Sequence, residues 1–315
     1  MGGIKRFCHT YLFRMLMVAL GVSTLCFLAV EYAPGDRAVD VALARYGEDV
    51  SPQAVEYIRM SEGLQNHPFY RYRLWLGSLV RGDWGRSLVG GEKVTLLLTT
   101  AFRRTALLAL FALGLSLVLA LPLGIYNGCH PGSLVDLCSA GLSGILCSFP
   151  PFVTGIVLIL LLSIRWRMLP VAGFSSPIHM LLPGITLALG LAAGSCRVTA
   201  AAVLQARQSP HYAFARHKGL AGRSLFLPHG LRNAAPPVIT YLGLQTAGLL
   251  DGVVVIETLF AWPGLGNLLL DAVRGGDILL VQGAGLLLGW IYVTVNSLAE
   301  YFADHFASQE KRGCP

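Results

Sequence analysis

Between Asp136 and Asp251 the sequence holds no carboxylate, yet this stretch contains a dense run of cations: Arg207, Arg216, Lys218, Arg223 and Arg232. Such a run does electrostatic work, presenting one side of a charged interface. Asp251 and Glu257 follow it, inside an apolar segment. A carboxylate there costs about 2.5–3.5 kcal/mol to insert into a bilayer and faces a cavity or a partner rather than lipid. Asp251 therefore reads in one of two ways: as a group lining a passage for a cationic or amine-bearing solute, or as a hydrogen-bonded link to a neighbouring helix. Six positions apart, Asp251 and Glu257 stand about 240° apart on an α-helix and share no face. Glu257 reads as an anchor for the WPGLG turn that follows. Pro150 and Pro151 free backbone carbonyls, which at membrane depth is tolerated only where protein or water satisfies them; they mark a kink beside a pathway. Bond-breaking chemistry finds no support, because the eight histidines are scattered and no carboxylate pair or nucleophile–base spacing can be defended. A phosphate-binding Walker loop needs a lysine after its last glycine. The four lysines, Lys5, Lys93, Lys218 and Lys311, all lack that neighbour. If ATP drives this protein, another polypeptide must bind it.

The elements that carry these residues belong in a bilayer. Of 315 residues, 54% are hydrophobic and 13% charged, against about 25% charged in a soluble domain. Six runs approach the roughly 20 apolar residues that a spanning helix needs: Tyr11 to Val30, about Thr105 to Tyr126, Leu137 to Ile164 broken at Pro150-Pro151, Ile178 to Leu204, Val238 to Leu259, and Ile278 to Ala299. The first reads as a retained signal-anchor helix rather than a cleaved leader. The 206–235 loop carries five cations, against two (Arg165, Arg167) and one (Arg274) in the flanking loops, so the positive-inside rule places it in the cytoplasm. Six spans then put both termini there, in agreement with Lys5, Arg6, Lys311 and Arg312. The expected fold is an all-α polytopic membrane protein with a long extracytoplasmic insertion after the first span. Its segments are 1–31 (N-terminus and first span), 32–104 (extracytoplasmic), 105–304 (five-helix core) and 305–315 (cytoplasmic tail).

The insertion, with ten cations and nine anions from Glu31 to Arg104, is nearly neutral. Ser51-Pro52 reads as an N-cap and first helical residue, Gly63 as a stop, and Asn66 as the cap of a second helix. The insertion is either a lid over the helix ends or a docking surface for an external partner. GxxxG pairs at Gly190/Gly194 and Gly248/Gly252 predict close packing of the fourth and fifth spans. The seven cysteines form no CxxC and read as packing residues, with no disulfide and no metal site. The net charge of +7 is spread along the chain, which argues against nucleic acid.

In the basic loop, Ser209-Pro210 again reads as a cap and first helical residue, and Gly219 as the position beyond a helix end. A helix of two or three turns is marginal alone, so it docks on something, with Tyr212, Ala215 and the Gly219 end on one face and Arg216 and Lys218 beside it. The stretch FARHKGLAGRSLFLPHGLRNAAPPV (214–238) resembles the cytoplasmic coupling loop of binding-protein-dependent ABC import permeases, and most closely that of the dipeptide/oligopeptide/nickel group. APGDRA (33–38), GDWGRSL (82–88), LPLGIYNG (121–128), SFPPFVTGIVLILL (148–161), MLPVAGF (168–174) and VVVIETLFAWPGLG (253–266) extend the resemblance over the chain. Pro210-His211, where an acidic residue often precedes the tyrosine, and Pro228 depart from the pattern. The resemblance implies a bacterial inner-membrane permease of the first-subunit type that binds no cofactor itself. Its partners would be two ATP-binding subunits, a second homologous permease and a periplasmic or lipid-anchored substrate-binding protein. In the ATPase groove would sit Ala215, Gly219 and Leu220, with Arg216 and Lys218 at the rim and His229, Arg232 and Asn233 bracing the return to the membrane. The solute would be a di- or oligopeptide, or alternatively nickel or a metal chelate. The residues by themselves also admit an ion-coupled secondary carrier using Asp251, or a membrane assembly factor.

Overall fold

The computed structural model describes residues 2–32, 35–47 and 50–312, with side chains described except at 2–9, 30, 247, 251 and 302–312. Lys5, Arg6, Cys8, Asp251, Lys311 and Arg312 fall outside the described side chains, and Cys314 outside the described residues. Regular structure among the described residues is helical, apart from one isolated bridge between Arg86 and Lys93. The chain forms two compact units, Met1–Thr105 with Pro263–Thr294, and Ala106–Trp262 with Val295–Pro315.

The first unit contains α1 (Gly2–Glu31), α2 (Arg37–Tyr46), α3 (Pro52–Ser61), α4 (Pro68–Val80), the start of α5 (Val94–Cys129), α12 (Leu265–Arg274) and the start of α13 (Ile278–Arg312). Ser51 caps α3 through its hydroxyl, and Gly63 follows the helix at φ +62°. Two features differ from the sequence reading. The cap of α4 is His67 rather than Asn66, with His67 Nδ1 accepting from the Phe69 N–H at 3.3 Å. Pro68 is the reason: proline suits the first helical position, so the cap must be the residue before it. The other is α2, which the sequence reading did not contain. Asp36 caps it at the Ala38 N–H (3.0 Å), and it buries Ala38, Val41 and Ala42.

Ion pairs hold this unit together. Glu31 accepts from Arg37 at 2.6 Å and also from Arg71, all three side chains being mostly buried. Burial lowers the Arg71 guanidinium from its ordinary value, and the charge of Glu31 opposes that shift. Arg45 meets Glu62 at 2.7 Å and Arg59 meets Asp36 at 2.5 Å. Asp277, 1% exposed, receives the Ser87 hydroxyl, the Val89 N–H and the Leu280 N–H, tying the 85–91 loop to the first turn of α13.

The helix of the second span begins at Val94, eleven residues before the predicted start. Arg103 and Arg104 look like a membrane boundary in sequence, but no glycine or proline precedes Gly114 to stop the helix. Val94, Leu98, Ala101 and Thr105 are buried at alternating spacings of four and three, a single seam of one continuous helix.

The second unit contains the rest of α5 and α13, α6 (Leu134–Ser148), α7 (Pro151–Leu158) continued by a π-helical segment Ile159–Arg165, α8 (Leu181–Gln208), α9 (Pro210–His217), α10 (Gly222–Leu225) continued by a π-helical Phe226–Leu231, and α11 (Arg232–Leu259). Among the described residues, four helices are long and apolar enough to cross a membrane. Two bent pairs, Leu134–Ser148 with Pro151–Arg165 and Gly222–Leu250 with Gly252–Leu259, bring the total to six when each counts as one span. The bend at the first pair is 109°, far sharper than a proline kink. Each proline bars its predecessor from the helical region, so Pro150 and Pro151 together push Phe149 (ψ 140°) and Pro150 (ψ 147°) out of the helix. Pro236 and Pro237, expected in a loop before the fifth span, lie within α11. Their missing N–H groups fall just after the π-helical segment, where the regular ladder is only beginning.

The predicted glycine packing is redistributed. A Cβ on Gly194 would lie 2.2 Å from the Tyr241 hydroxyl, whereas Gly190 and Gly248 have open space. The closest backbone approach uses Gly124 and Gly128 of α5, where added Cβ atoms would come within 2.8 and 2.6 Å of the Cys196 and Ala200 carbonyls of α8. That is also a GxxxG pair, hidden inside LPLGIYNG.

Candidate functional site

The basic loop folds from local rules. Ser209, at φ −69° and ψ 148°, accepts the Tyr212 N–H on its hydroxyl at 3.3 Å, and Pro210 opens α9. The other end closes as a Schellman motif. The Leu220 N–H reaches the Ala215 carbonyl (3.4 Å), the Gly219 N–H reaches Arg216 (3.0 Å), and Gly219 takes φ +87°. A β-carbon would strain that position. The eight-residue helix thus begins and ends where its sequence dictates.

The direction it faces was not legible. Ala215, placed by the resemblance in a partner's groove, is 5% exposed and turned into its own unit. Tyr212 is half-buried beside Gly230, where a Cβ would meet the Tyr212 ring at 3.3 Å and Phe226 at 2.9 Å. So short a helix cannot stand alone, and it packs against α8 and the π-helical segment. What it presents outward is Phe214 (62% exposed), Arg216, Lys218, Gly219 and Leu220. The Lys218 ammonium lies 4.6 Å from the Phe214 ring centre. Arg216, Lys218, Arg223 and Arg232 are exposed and form no ion pair among the described residues. His229 is half-buried in the π-helical segment, and Arg232 and Asn233 are exposed on the first turn of α11. The residue that ties the loop to the bundle is Arg207, counted in sequence only as a topological charge. Its guanidinium donates to the Cys129 carbonyl at 2.5 Å and to Gly128 at 3.4 Å, capping the C-terminal end of α5. A cation on the last carbonyls of a helix satisfies them and complements the dipole. A lysine or arginine shortly after a span was the available signal; its target lay 78 residues away in sequence.

Of the pathway candidates, Pro150 and Pro151 form the 109° break. Asp251 lies in α11, but its side chain is outside those described. Glu257 is fully buried, and its carbonyl accepts the Trp262 N–H at 2.8 Å, closing the helix into the WPGLG turn. The structure also groups polar residues that the sequence reading did not single out. Ser195 Oγ donates to Gln245 Oε1 (3.0 Å), and Gln245 Nε2 donates to the Tyr241 hydroxyl (2.9 Å). Asn127, 2% exposed, donates to Ser139 at 2.7 Å, and Arg197 faces Asp136 at 3.6 Å.

Apolar spans broken at prolines, with a capped basic helix in one inter-span loop, define a multi-pass membrane protein. Residues 120–312 match the family described as "Binding-protein-dependent transport system inner membrane component", and the chain belongs to that family. It is the permease subunit of an importer and resides in the inner membrane. Over 279 residues it is 32% identical to the "Glutathione transport system permease protein GsiC" of Escherichia coli (strain K12), covering 89% of this chain and 90% of that protein. Over 302 residues it is 30% identical to the "Probable peptide ABC transporter permease protein y4tP" of Sinorhizobium fredii (strain NBRC 101917 / NGR234), covering 92% and 95%. A solved structure titled "Crystal structure of an amino acid ABC transporter with histidines" superposes with a TM-score of 0.52 at 15% identity, covering 69% of this chain and 94% of that one. At that identity the likeness speaks for the fold alone.

Proposed function

We propose that this chain carries short peptides, glutathione among them, across the inner membrane in an ATP-driven importer, and that the 206–235 loop is where ATP-binding subunits act on it. The observation that carries the reading is the construction of α9: capped at both ends, seated on its own unit with Ala215 buried and Tyr212 half-buried, and presenting Phe214, Arg216, Lys218, Gly219 and Leu220, with no acid paired to its two cations among the described residues. Exposed cations beside an aromatic ring and an aliphatic tip suit a groove with an acidic rim on another polypeptide. Arg207 gives the loop a rigid link to the end of α5, so a push on α9 travels into the spans rather than being lost in a mobile connection.

In this reading the loop and both termini are cytoplasmic and the 32–104 segment is outside, where a substrate-binding protein delivers solute. Two ATPase subunits close on ATP, α9 moves with them, and the helices shift between outward- and inward-open arrangements. A second, similar permease supplies the other wall of the passage. The peptide assignment draws on the printed names of the relatives, and no observation in this chain favours nickel over it.

The test is reconstitution of the permease with its partner subunits and binding protein in vesicles, followed by uptake of labelled glutathione and trialanine. Uptake that requires both ATP and the ATPase subunits is expected. Accumulation driven by an ion gradient without ATP would establish a carrier instead, and failure of ATPase subunits to co-purify with the permease would overturn the coupling role.

A further inference from the structure

The seam between α8 and α11 holds a hydrogen-bonded chain near the middle of both helices. Gly194 lets them cross: a Cβ there would stand 2.2 Å from the Tyr241 hydroxyl and 2.7 Å from Gln245 Nε2. Ser195, 1% exposed, gives its proton to Gln245 Oε1 at 3.0 Å, and Gln245 Nε2 donates to the Tyr241 oxygen at 2.9 Å. In this arrangement the phenol, having accepted from the Gln245 amide N–H, keeps its own proton to donate elsewhere.

Tyr241 and Gln245 are half-buried, not sealed. Polar groups at this depth do not face hydrocarbon, because an N–H or O–H left without a partner there costs several kcal/mol on the order of a lost hydrogen bond. The structure also leaves room beside them. Gly248 continues the face of Tyr241 and Gln245 one turn on, and Gly190 lies one turn from Gly194 on α8. An added Cβ at either would meet nothing within 4 Å, while one further turn along, Gly252 closes against Leu187 at 3.7 Å. Gly190 and Gly248, one member of each GxxxG pair that sequence spacing marks for close packing, thus each border open space, between a polar chain a turn away on one side and an apolar contact on the other.

We infer that Tyr241 and Gln245 line the solute passage and act as specificity-determining residues, with the Tyr241 hydroxyl donating to backbone carbonyl oxygens of a passing peptide. Ser195 is a positioning residue that holds the amide in register. The inference rests on the peptide-import reading above, but its test separates the two.

In the assembled importer in vesicles, Gln245→Cys and Leu244→Cys are compared for modification by a charged, membrane-impermeant methanethiosulfonate. Leu244 is the adjacent, 55% exposed residue on a different face of α11. Gln245→Cys is expected to react several times faster, with a rate that changes between nucleotide-free and ATP-trapped states and falls when trialanine-loaded binding protein is added. Tyr241→Phe keeps the ring and is expected to lower trialanine uptake per assembled complex severalfold, with ATP hydrolysis and assembly unchanged. Equal, slow labelling at both positions in every nucleotide state would overturn the inference. So would a Tyr241→Phe importer with unaltered uptake, or one whose only defect is assembly, since the chain would then be packing alone. If Gln245→Cys fails to assemble, the Tyr241→Phe result decides. A wild-type importer that takes up no peptide sinks the functional reading and leaves the labelling result standing.

Discussion

The 32–104 segment and the 206–235 loop both carry many arginines outside the most apolar stretches, and they treat them in opposite ways. In the first, Arg37, Arg45, Arg59 and Arg71 each meet a carboxylate of the same unit, and Glu31 serves two of them. In the second, Arg216, Lys218, Arg223 and Arg232 meet none among the described residues, and the only ring or charge contact recorded among them is that of Lys218 with Phe214. The first region thus uses four of its arginines as internal braces. The second region folds on caps and a few buried small or aliphatic residues, Ala215, Leu225 and Ala234 among them, and leaves these cations exposed, as the proposed docking on another polypeptide requires. In the proposed reading, the difference separates a part that must stay folded from a part that must be gripped.

The largest expected effect breaks the first region. Glu31→Gln leaves Arg37 and Arg71 without their shared anion in a mostly buried site, a loss of about 3 kcal/mol, read as faster hydrogen exchange across α2 and α4. Arg216→Gln should change stability by no more than about 0.5 kcal/mol by the same measurement, as surface substitutions do. Equal losses at the two positions would erase the contrast.

Next comes Gly219→Val. At φ +87° a β-branched residue costs roughly 1–2 kcal/mol, so exchange protection in α9 should fall and ATP-dependent uptake with it. Full protection in that variant would show that the Schellman closure is dispensable. Reversing Arg216 and Lys218 to glutamate together should weaken capture of the ATPase subunits about tenfold, and the wild-type interaction should itself weaken as salt rises. Salt-independent capture would mean that the cations serve topology only. Smallest is Ser209→Ala, which removes the α9 cap for about 1 kcal/mol and should lower helix protection without altering assembly at low temperature.

Much of the second region was readable because its signals are local. A hydroxyl before a proline, and a glycine nine residues beyond that proline, mark a helix that needs no distant partner to begin or end. The same reasoning found α3 but misplaced the cap of α4 by one residue, where Pro68 outranked Asn66. It also missed α2, whose ten residues are amphipathic but too few to stand out from loop sequence. Asp251 was picked out because a lone charge in an apolar run is conspicuous; Gln245 and Tyr241, uncharged and scattered among aliphatics, gave no such signal.

By itself the sequence determined that this chain lives in a bilayer, roughly where its apolar helices lie, and which loop is rich in cations and free of acids, because hydrophobic length and charge balance are additive properties of neighbouring residues. The tertiary structure alone decided that Ala215 turns inward, that Arg207 seizes the end of α5, that Gly124 and Gly128 make the tightest crossing, and that Gly190 and Gly248 border open space. Those outcomes depend on which distant helix arrives at a given face, and glycine has no side chain to announce whether its surface will be filled by a neighbour or left empty.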